Sequence, residues 1–145
     1  MNTPPKIALV VSRFNEEVTN GLRRGAERHL AAEGVTLAPA DLYEAPGAFE
    51  IPLIAQKLAE SGRYDGVVCL GCVIKGDTAH FEFISLGATT GIMQAMLKTG
   101  VPITFGILTT YTDAQALARS REDAHNKGIE AAAACLDALA VLARI

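Results

Sequence analysis

Four short apolar runs, each followed by a segment with helical character, limit what this chain can fold into. The runs predict strands because they are short and bounded by polar or turn residues. They cover residues 7–11, 35–43, 67–74 and 101–108. Strands that alternate with helices form parallel sheets with right-handed crossovers, covered by helices on both faces. We therefore predict an α/β fold, a three-layer αβα sandwich around a four-stranded parallel sheet.

The predicted helices begin at polar residues. Asn15 can cap the first helix, and either Asp77 or Thr78 can cap a long third helix. A second helix is predicted over residues 50–61. A loop over residues 109–113 then leads into a short helix and a long alanine-rich helix that runs to the C-terminus.

Two features predict where strands lie in the sheet. Pro39 has no N–H to donate to a neighbouring strand, so the run that contains it is predicted at a sheet edge. Cys69 and Cys72 form a C-x-x-C pattern inside the third run. Side chains three residues apart in a strand point to opposite faces. We therefore interpret both cysteines as small core residues and expect no disulfide or redox motif.

Length and composition indicate one cytoplasmic domain that covers residues 1–145. Half of the residues are apolar, yet no uninterrupted apolar stretch approaches the roughly 20 residues that span a membrane. Residues 1–6 lack the basic and apolar segments of a secretory leader. The net charge is −3, and the dense basic group Arg23, Arg24 and Arg28 lies on a predicted solvated helix face. We expect neither nucleic-acid nor membrane partners.

Two predicted helices carry many small residues, and this leaves two interpretations open. The helix after the third strand contains Gly87, Ala88, Gly91 and Ala95, and the last helix is alanine-rich over residues 131–143. Such surfaces suit close helix–sheet packing within the chain. They equally suit burial against neighbouring subunits, because a helix that is apolar around most of its circumference must be covered.

Polar or aromatic segments follow all four predicted strands. In an open parallel sheet, ligands bind beyond the carboxyl ends of the strands. This rule selects residues 12–15, 45–50, 75–80 and 108–110. We expect the binding residues to come from these segments.

His80 is the strongest candidate for a proton-transfer group. It follows the third strand at the start of a helix, and histidine exchanges protons near neutral pH. Gly76, Asp77 and Thr78 place backbone N–H groups and a hydroxyl at the same helix N-terminus, which suits an anion. Neither a P-loop nor a G-x-G-x-x-G pattern occurs, which disfavours a nucleotide enzyme. The residues alone predict proton-transfer chemistry on a small anionic substrate.

Several motifs in one order resemble the lumazine synthase family, and the resemblance spans nearly the whole chain. The motifs are Arg13-Phe14-Asn15, Pro46-Gly47-Ala48-Phe49-Glu50-Ile51-Pro52, the segment 71–82 with His80-Phe81-Glu82, Phe105-Gly106-Ile107-Leu108-Thr109-Thr110, and Asn126-Lys127-Gly128. The resemblance implies a flavodoxin-like fold. It also implies a reaction in which a ribityl-bearing aminopyrimidine condenses with 3,4-dihydroxy-2-butanone 4-phosphate, without a metal or an organic cofactor.

The same resemblance implies roles for individual residues. His80 would transfer protons. Gly76, Asp77 and Thr78 would bind the phosphate together with Arg119. The other residues would bind the pyrimidine and its ribityl chain: Phe14, Asn15, Ala48, Phe49, Glu50, Val73, Ile74, Phe105 and Lys127. Phe105 would come from an adjacent subunit, so the resemblance implies self-association with active sites at subunit interfaces.

The chain departs from the family pattern around Arg119. Ala118 stands where the family usually has an acidic residue, and the glycine-containing turn that is common after the arginine is replaced by residues 120–125. Arg121 therefore competes with Arg119 for the phosphate role, although the spacing to Lys127 favours Arg119. The missing turn is associated with sixty-subunit shells, so we expect a pentamer.

Two further functions remain open at this point. One is a flavin carrier that has the pocket but no turnover. The polar residues Glu50, His80 and Arg119 favour the enzyme over the carrier, because a carrier needs no separate phosphate site. The other is an assembly protein whose shell is its function, suggested by the helices rich in small residues.

Overall fold

The computed structural model describes residues 3–145, so Met1 and Asn2, where the predicted domain begins, lie outside the described residues. Four parallel strands form one sheet in the order β2-β1-β3-β4. The strands are β1 (Ile7–Ser12), β2 (Leu42–Ala45), β3 (Gly66–Ile74) and β4 (Ile103–Thr110). The helices are α1 (Glu16–Ala32), α2 (Ile51–Glu60), α3 (His80–Thr99), α4 (Asp113–Ala118) and α5 (Lys127–Leu142). The predicted α/β sandwich with a four-stranded parallel sheet is confirmed.

The sheet separates two apolar layers. Along β1, Ile7 and Leu9 face α1, α4 and α5, whereas Ala8 and Val10 face α2 and α3. This alternation is what a strand buried on both sides requires. Within residues 3–145 no helix has the length and apolar character to cross a bilayer.

The two cysteines of the C-x-x-C pattern behave as predicted. Cys69 packs in the layer beneath α2 and α3, Cys72 packs in the opposite layer, and neither forms a disulfide. Cys135 is also buried and free. The cysteines are therefore core residues.

The prediction for the second strand was wrong in its extent. The strand covers only Leu42–Ala45, and Pro39–Asp41 form a single 3₁₀ turn before it. The Asp41 carboxylate closes this turn by accepting the Ala38 N–H at 2.9 Å, and it also accepts Lys6 Nζ at 3.1 Å. The strand does lie at the sheet edge, but Pro39 precedes it rather than lying within it.

Four other local predictions also need correction. The side chain of Asn15 does not cap α1, and neither Asp77 nor Thr78 is the N-cap of α3, which is Ala79. The predicted helix over residues 50–61 begins as a 3₁₀ turn at Ala48–Glu50 and continues as α2. Thr109 and Thr110 belong to β4 rather than to the predicted loop, because β3 extends to pair with them.

Candidate active site

The carboxyl ends of the strands open into a cavity of about 400 Å³, which we call the edge cavity. Eight of the predicted site residues line it: Phe14, Asn15, Ala48, Phe49, Glu50, Val73, Ile74 and His80. Its lining also includes Ile84 and Asp113, which the sequence analysis missed. Ile84 lies one helical turn after His80, and Asp113 follows the end of β4. Both positions could have been found from helical spacing and the strand-end rule.

Asn15 shapes one wall of the edge cavity. It adopts a left-handed backbone conformation with φ of 62°, which asparagine tolerates better than most residues. Its side-chain amide donates to the Cys72 carbonyl oxygen at 3.1 Å, so it ties the end of β1 to β3. The neighbouring Phe14 ring is 69% exposed and lines the cavity. An exposed aromatic ring on a fixed turn is suited to stacking on a planar ligand.

The second wall is the 3₁₀ turn Ala48–Glu50. Ala48 is buried, whereas Phe49 is 58% exposed at the cavity. The Phe49 ring packs directly against Gly87 of α3. A Cβ at this position would come within 2.8 Å of Phe49 Cε1, so only glycine leaves room for the ring. The small residue Gly87 therefore serves packing within the chain. This contact supports the first of the two interpretations that the sequence left open for α3.

The loop between β3 and α3 brings His80 to the cavity. His80 is the first residue of α3, and its backbone N–H donates to Thr78 Oγ1 at 3.3 Å. Gly76, Asp77 and Thr78 are exposed and lie in the chain between Ile74 and His80, both of which line the cavity. The three loop residues themselves do not line the cavity.

A second cavity of about 510 Å³ runs along β4 between α3 and α5, and we call it the β4 cavity. It contains Phe105, Arg119 and Lys127, the remaining predicted site residues. The Lys127 backbone N–H donates to the Arg119 carbonyl oxygen at 2.9 Å, which keeps these two residues side by side. Within one chain, Arg119 is therefore grouped with Phe105 and Lys127 rather than with the loop 76–78.

The two candidate arginines differ in whether they line the β4 cavity. Arg119 lines the β4 cavity, and its Nη1 donates to the Gln115 carbonyl oxygen at 3.0 Å. Arg121 lines a depression between α1 and the loop that precedes α5, together with Arg24 and Arg28, and it shares a further surface depression with Arg119 and Lys127. Only Arg119 lines the β4 cavity, where Phe105 lies.

The chain has close relatives of known name. A family model described as 6,7-dimethyl-8-ribityllumazine synthase matches residues 4–143. The 6,7-dimethyl-8-ribityllumazine synthase 1 of Caulobacter vibrioides is 66% identical over 142 residues, which cover 98% of this chain and 93% of that protein. The chain belongs to the 6,7-dimethyl-8-ribityllumazine synthase family. Two other members are less similar. The synthase of Deinococcus deserti is 48% identical over 99% of this chain and 92% of that protein. The synthase of Salinibacter ruber is 47% identical over 97% of this chain and 90% of that protein.

The family resemblance drawn from the motifs is therefore confirmed. One of those motifs, Asn126-Lys127-Gly128, also has a clear structural role. Asn126 is buried, and its side chain accepts the Gly128 N–H at 2.8 Å while donating to the carbonyl oxygens of Gly21 at 3.1 Å and Arg121 at 2.8 Å. It thus caps α5 and fixes the loop between α4 and α5 onto α1. This anchoring sets the position of Lys127 in the β4 cavity.

Proposed function

We propose that this chain condenses 5-amino-6-(D-ribitylamino)uracil with 3,4-dihydroxy-2-butanone 4-phosphate to give 6,7-dimethyl-8-ribityllumazine, inorganic phosphate and water. This reaction is the penultimate step of riboflavin biosynthesis. Family membership over nearly the whole chain supports the overall reaction. The observation that carries the proposal at the level of residues is the edge cavity, where an aromatic ring, a carboxylate and an imidazole line one space.

The aminopyrimidine fits the edge cavity by the chemistry of its lining. Phe14 offers a ring for stacking, and Val73 and Ile74 supply apolar contacts beside it. The hydroxyls of the ribityl chain need donors and acceptors, which the backbone of Ala48 and Phe49 and the Glu50 carboxylate provide. Asn15 lines the opposite wall of the cavity, beside Phe14. The pyrimidine is thereby held with its amine toward His80.

The reaction needs proton transfers rather than an enzyme nucleophile. The amine of the pyrimidine attacks the ketone carbonyl and water leaves, giving an imine. Phosphate is then eliminated, and the ribitylamino nitrogen closes the second ring with loss of water. His80 takes protons from the attacking nitrogen and returns them to the departing oxygens. Holding both substrates together supplies the larger part of the acceleration.

The phosphate requires two groups that one chain keeps apart. The backbone N–H groups of residues 76–78, just before α3, suit an anion. The guanidinium of Arg119 can add two charge-assisted hydrogen bonds to the same phosphate. Arg119 lies in the β4 cavity with Phe105 and Lys127. We therefore propose that each site combines the edge cavity of one subunit with the β4 cavity of its neighbour.

Exposed apolar surface supports such self-association. Phe83, Leu86, Met93 and Leu97 share one face of α3, and each is between 51% and 74% exposed. The outer edge of β4 also has no neighbouring strand within residues 3–145. Large exposed apolar patches mark interaction surfaces. We propose that the chain is a single-domain subunit of a homo-oligomer. The proposed assembly is a pentamer, located in the cytoplasm. Light scattering of the purified protein tests the pentamer directly.

The function has a direct assay. Purified protein is mixed with both substrates, and lumazine fluorescence and phosphate release are followed against the uncatalysed reaction. If the chain is the synthase, both signals should rise faster than in the uncatalysed reaction, with one phosphate released for each lumazine formed. Binding of a flavin or pyrimidine without acceleration would instead identify the carrier, and assembly without binding would identify the shell protein.

Replacing Arg119 with alanine is expected to raise the KM for the phosphorylated ketone by about 10- to 100-fold, because a charge-assisted hydrogen bond to the phosphate is lost. The KM for the pyrimidine should change by less than about twofold. The matched control is Arg121→Ala, which removes the same charge two residues away and should leave both constants unchanged. Steady-state kinetics with each substrate varied in turn would measure this. A larger effect from Arg121→Ala would reverse the assignment.

A further inference from the structure

The side chain of Lys75 spans the loop that leads to His80. Lys75 is the first residue after β3, and its backbone N–H donates to the Thr110 carbonyl oxygen at 2.9 Å. Its Nζ lies 2.9 Å from Glu82 Oε1 in the first turn of α3. Lys75 and Glu82 therefore close the loop from its two ends, with residues 76–78 and His80 between them.

Aromatic contacts surround this ion pair. Lys75 Nζ lies 5.7 Å from the centre of the Phe81 ring, within the range of a cation–π interaction. The Phe81 ring in turn lies 6.0 Å from the Tyr111 ring beyond the end of β4. The hydrogen bond from Lys75 lowers the pKa of the Glu82 carboxyl, so Glu82 is ionised at neutral pH. Lys75 is thus held by Glu82 and by an aromatic ring on the same helix turn.

The loop has little other support. Residues 75–80 are all exposed, and a Cβ at Gly76 would meet no atom within 4 Å. A loop that lacks packing must lose conformational entropy when it binds an anion. Asp77 is part of the same loop, and its carboxylate would add repulsion toward a phosphate bound there. An ion pair that orders the loop before the phosphate binds would reduce the loss of conformational entropy on binding.

We propose that Lys75 and Glu82 are positioning residues for the phosphorylated ketone, whose ion pair holds the backbone N–H groups of residues 76–78 in the orientation that receives the phosphate. This inference rests on the proposed function. Lys75 acts through Glu82 and does not itself contact the phosphate, because its ammonium is already engaged. The role is one of loop order, which separates it from the direct charge contribution of Arg119.

Four variants test the proposal. Lys75→Met and Glu82→Gln are each expected to raise the KM for the phosphorylated ketone by about two- to fivefold, the scale of an exposed ion pair. The double variant should be no worse than either single one, since both remove the same interaction. Lys75→Arg keeps the ion pair and should behave as wild type. In every variant kcat and the KM for the pyrimidine should be unchanged.

A matched control removes the same charge elsewhere. Lys57 pairs with Glu60 at 3.8 Å on α2, so Lys57→Met lowers the net charge equally and should leave all constants unchanged. Binding of inorganic phosphate, measured by calorimetry, provides a readout that does not depend on turnover. Its affinity should fall two- to fivefold in Lys75→Met and in Glu82→Gln.

The pattern of effects decides between mechanisms. If Lys75→Met weakens phosphate binding while Glu82→Gln leaves it unchanged or strengthens it, Lys75 contacts the phosphate directly and the positioning role is overturned. Unchanged KM and phosphate affinity in both variants would overturn it as well. A wild-type protein that makes no lumazine would contradict the proposed function instead, whatever the phosphate measurements show.

Discussion

Replacing His80 with alanine is expected to slow turnover by up to about 100-fold, because the reaction loses its proton-transfer group. The remaining acceleration comes from holding the two substrates together, which the other residues of the edge cavity still do. Both KM values should change by less than about threefold, since an imidazole that acts in the transition state contributes little to ground-state binding. Steady-state lumazine fluorescence measures the change.

The matched control is His29→Ala, which removes a half-buried imidazole from the last turn of α1, away from both cavities. It should leave kcat unchanged. Equal rates for wild type and His80→Ala would remove His80 from the mechanism. Circular dichroism and light scattering of both variants would establish that the fold and the assembly are retained.

Mixing two defective variants is expected to restore activity, and this is the sharpest consequence of a site shared between chains. A His80→Ala subunit keeps an intact β4 cavity, and an Arg119→Ala subunit keeps an intact edge cavity. If the subunits assemble at random from an equal mixture, about a quarter of the sites combine the two intact halves. Activity at low ketone phosphate should therefore rise to about a quarter of the wild-type value.

The subunits must exchange for this test to work. Co-expression of the two variants with different affinity tags, followed by purification over both tags, isolates the mixed assemblies. Each variant assembled with itself is the control and should keep its own low rate. Mixed assemblies no more active than the two controls would mean that each chain builds its site alone. That result would overturn the shared site while leaving the proposed reaction intact.

The parts of the fold that were predictable are those fixed by local pattern. Residues 67–74 form β3 almost as predicted, because an uncharged apolar run in an α/β chain must be buried on both faces. The extent of β2 was not predictable in this way. Its start depends on Asp41, whose carboxylate accepts hydrogen bonds from Ala38, Lys6 and Tyr64. Lys6 and Tyr64 are distant in sequence, so no local pattern reveals the turn.

The same distinction applies to the candidate site. The strand-end rule selected the segments that contain Phe14, Phe49 and His80, and the structure brings these residues together at one cavity. Arg119 lies outside the segments that the rule selects, so the rule did not reveal that this residue lies in a separate cavity along the outer strand. That separation follows from the strand order, which sets β4 at the edge opposite β2.

The three buried cysteines offer a way to observe opening of the fold. Burial raises the pKa of all three thiols, that of Cys72 to about 11 and that of Cys135 to about 12, so near neutral pH they are protonated. Cys69 and Cys135 are fully buried, whereas Cys72 lines the edge cavity. A thiol reagent reacts with the thiolate and needs access to the sulfur. Labelling of Cys69 and Cys135 in the native protein should therefore proceed only as fast as the chain exposes its core. The rate of labelling then reports local and global unfolding without any engineered probe.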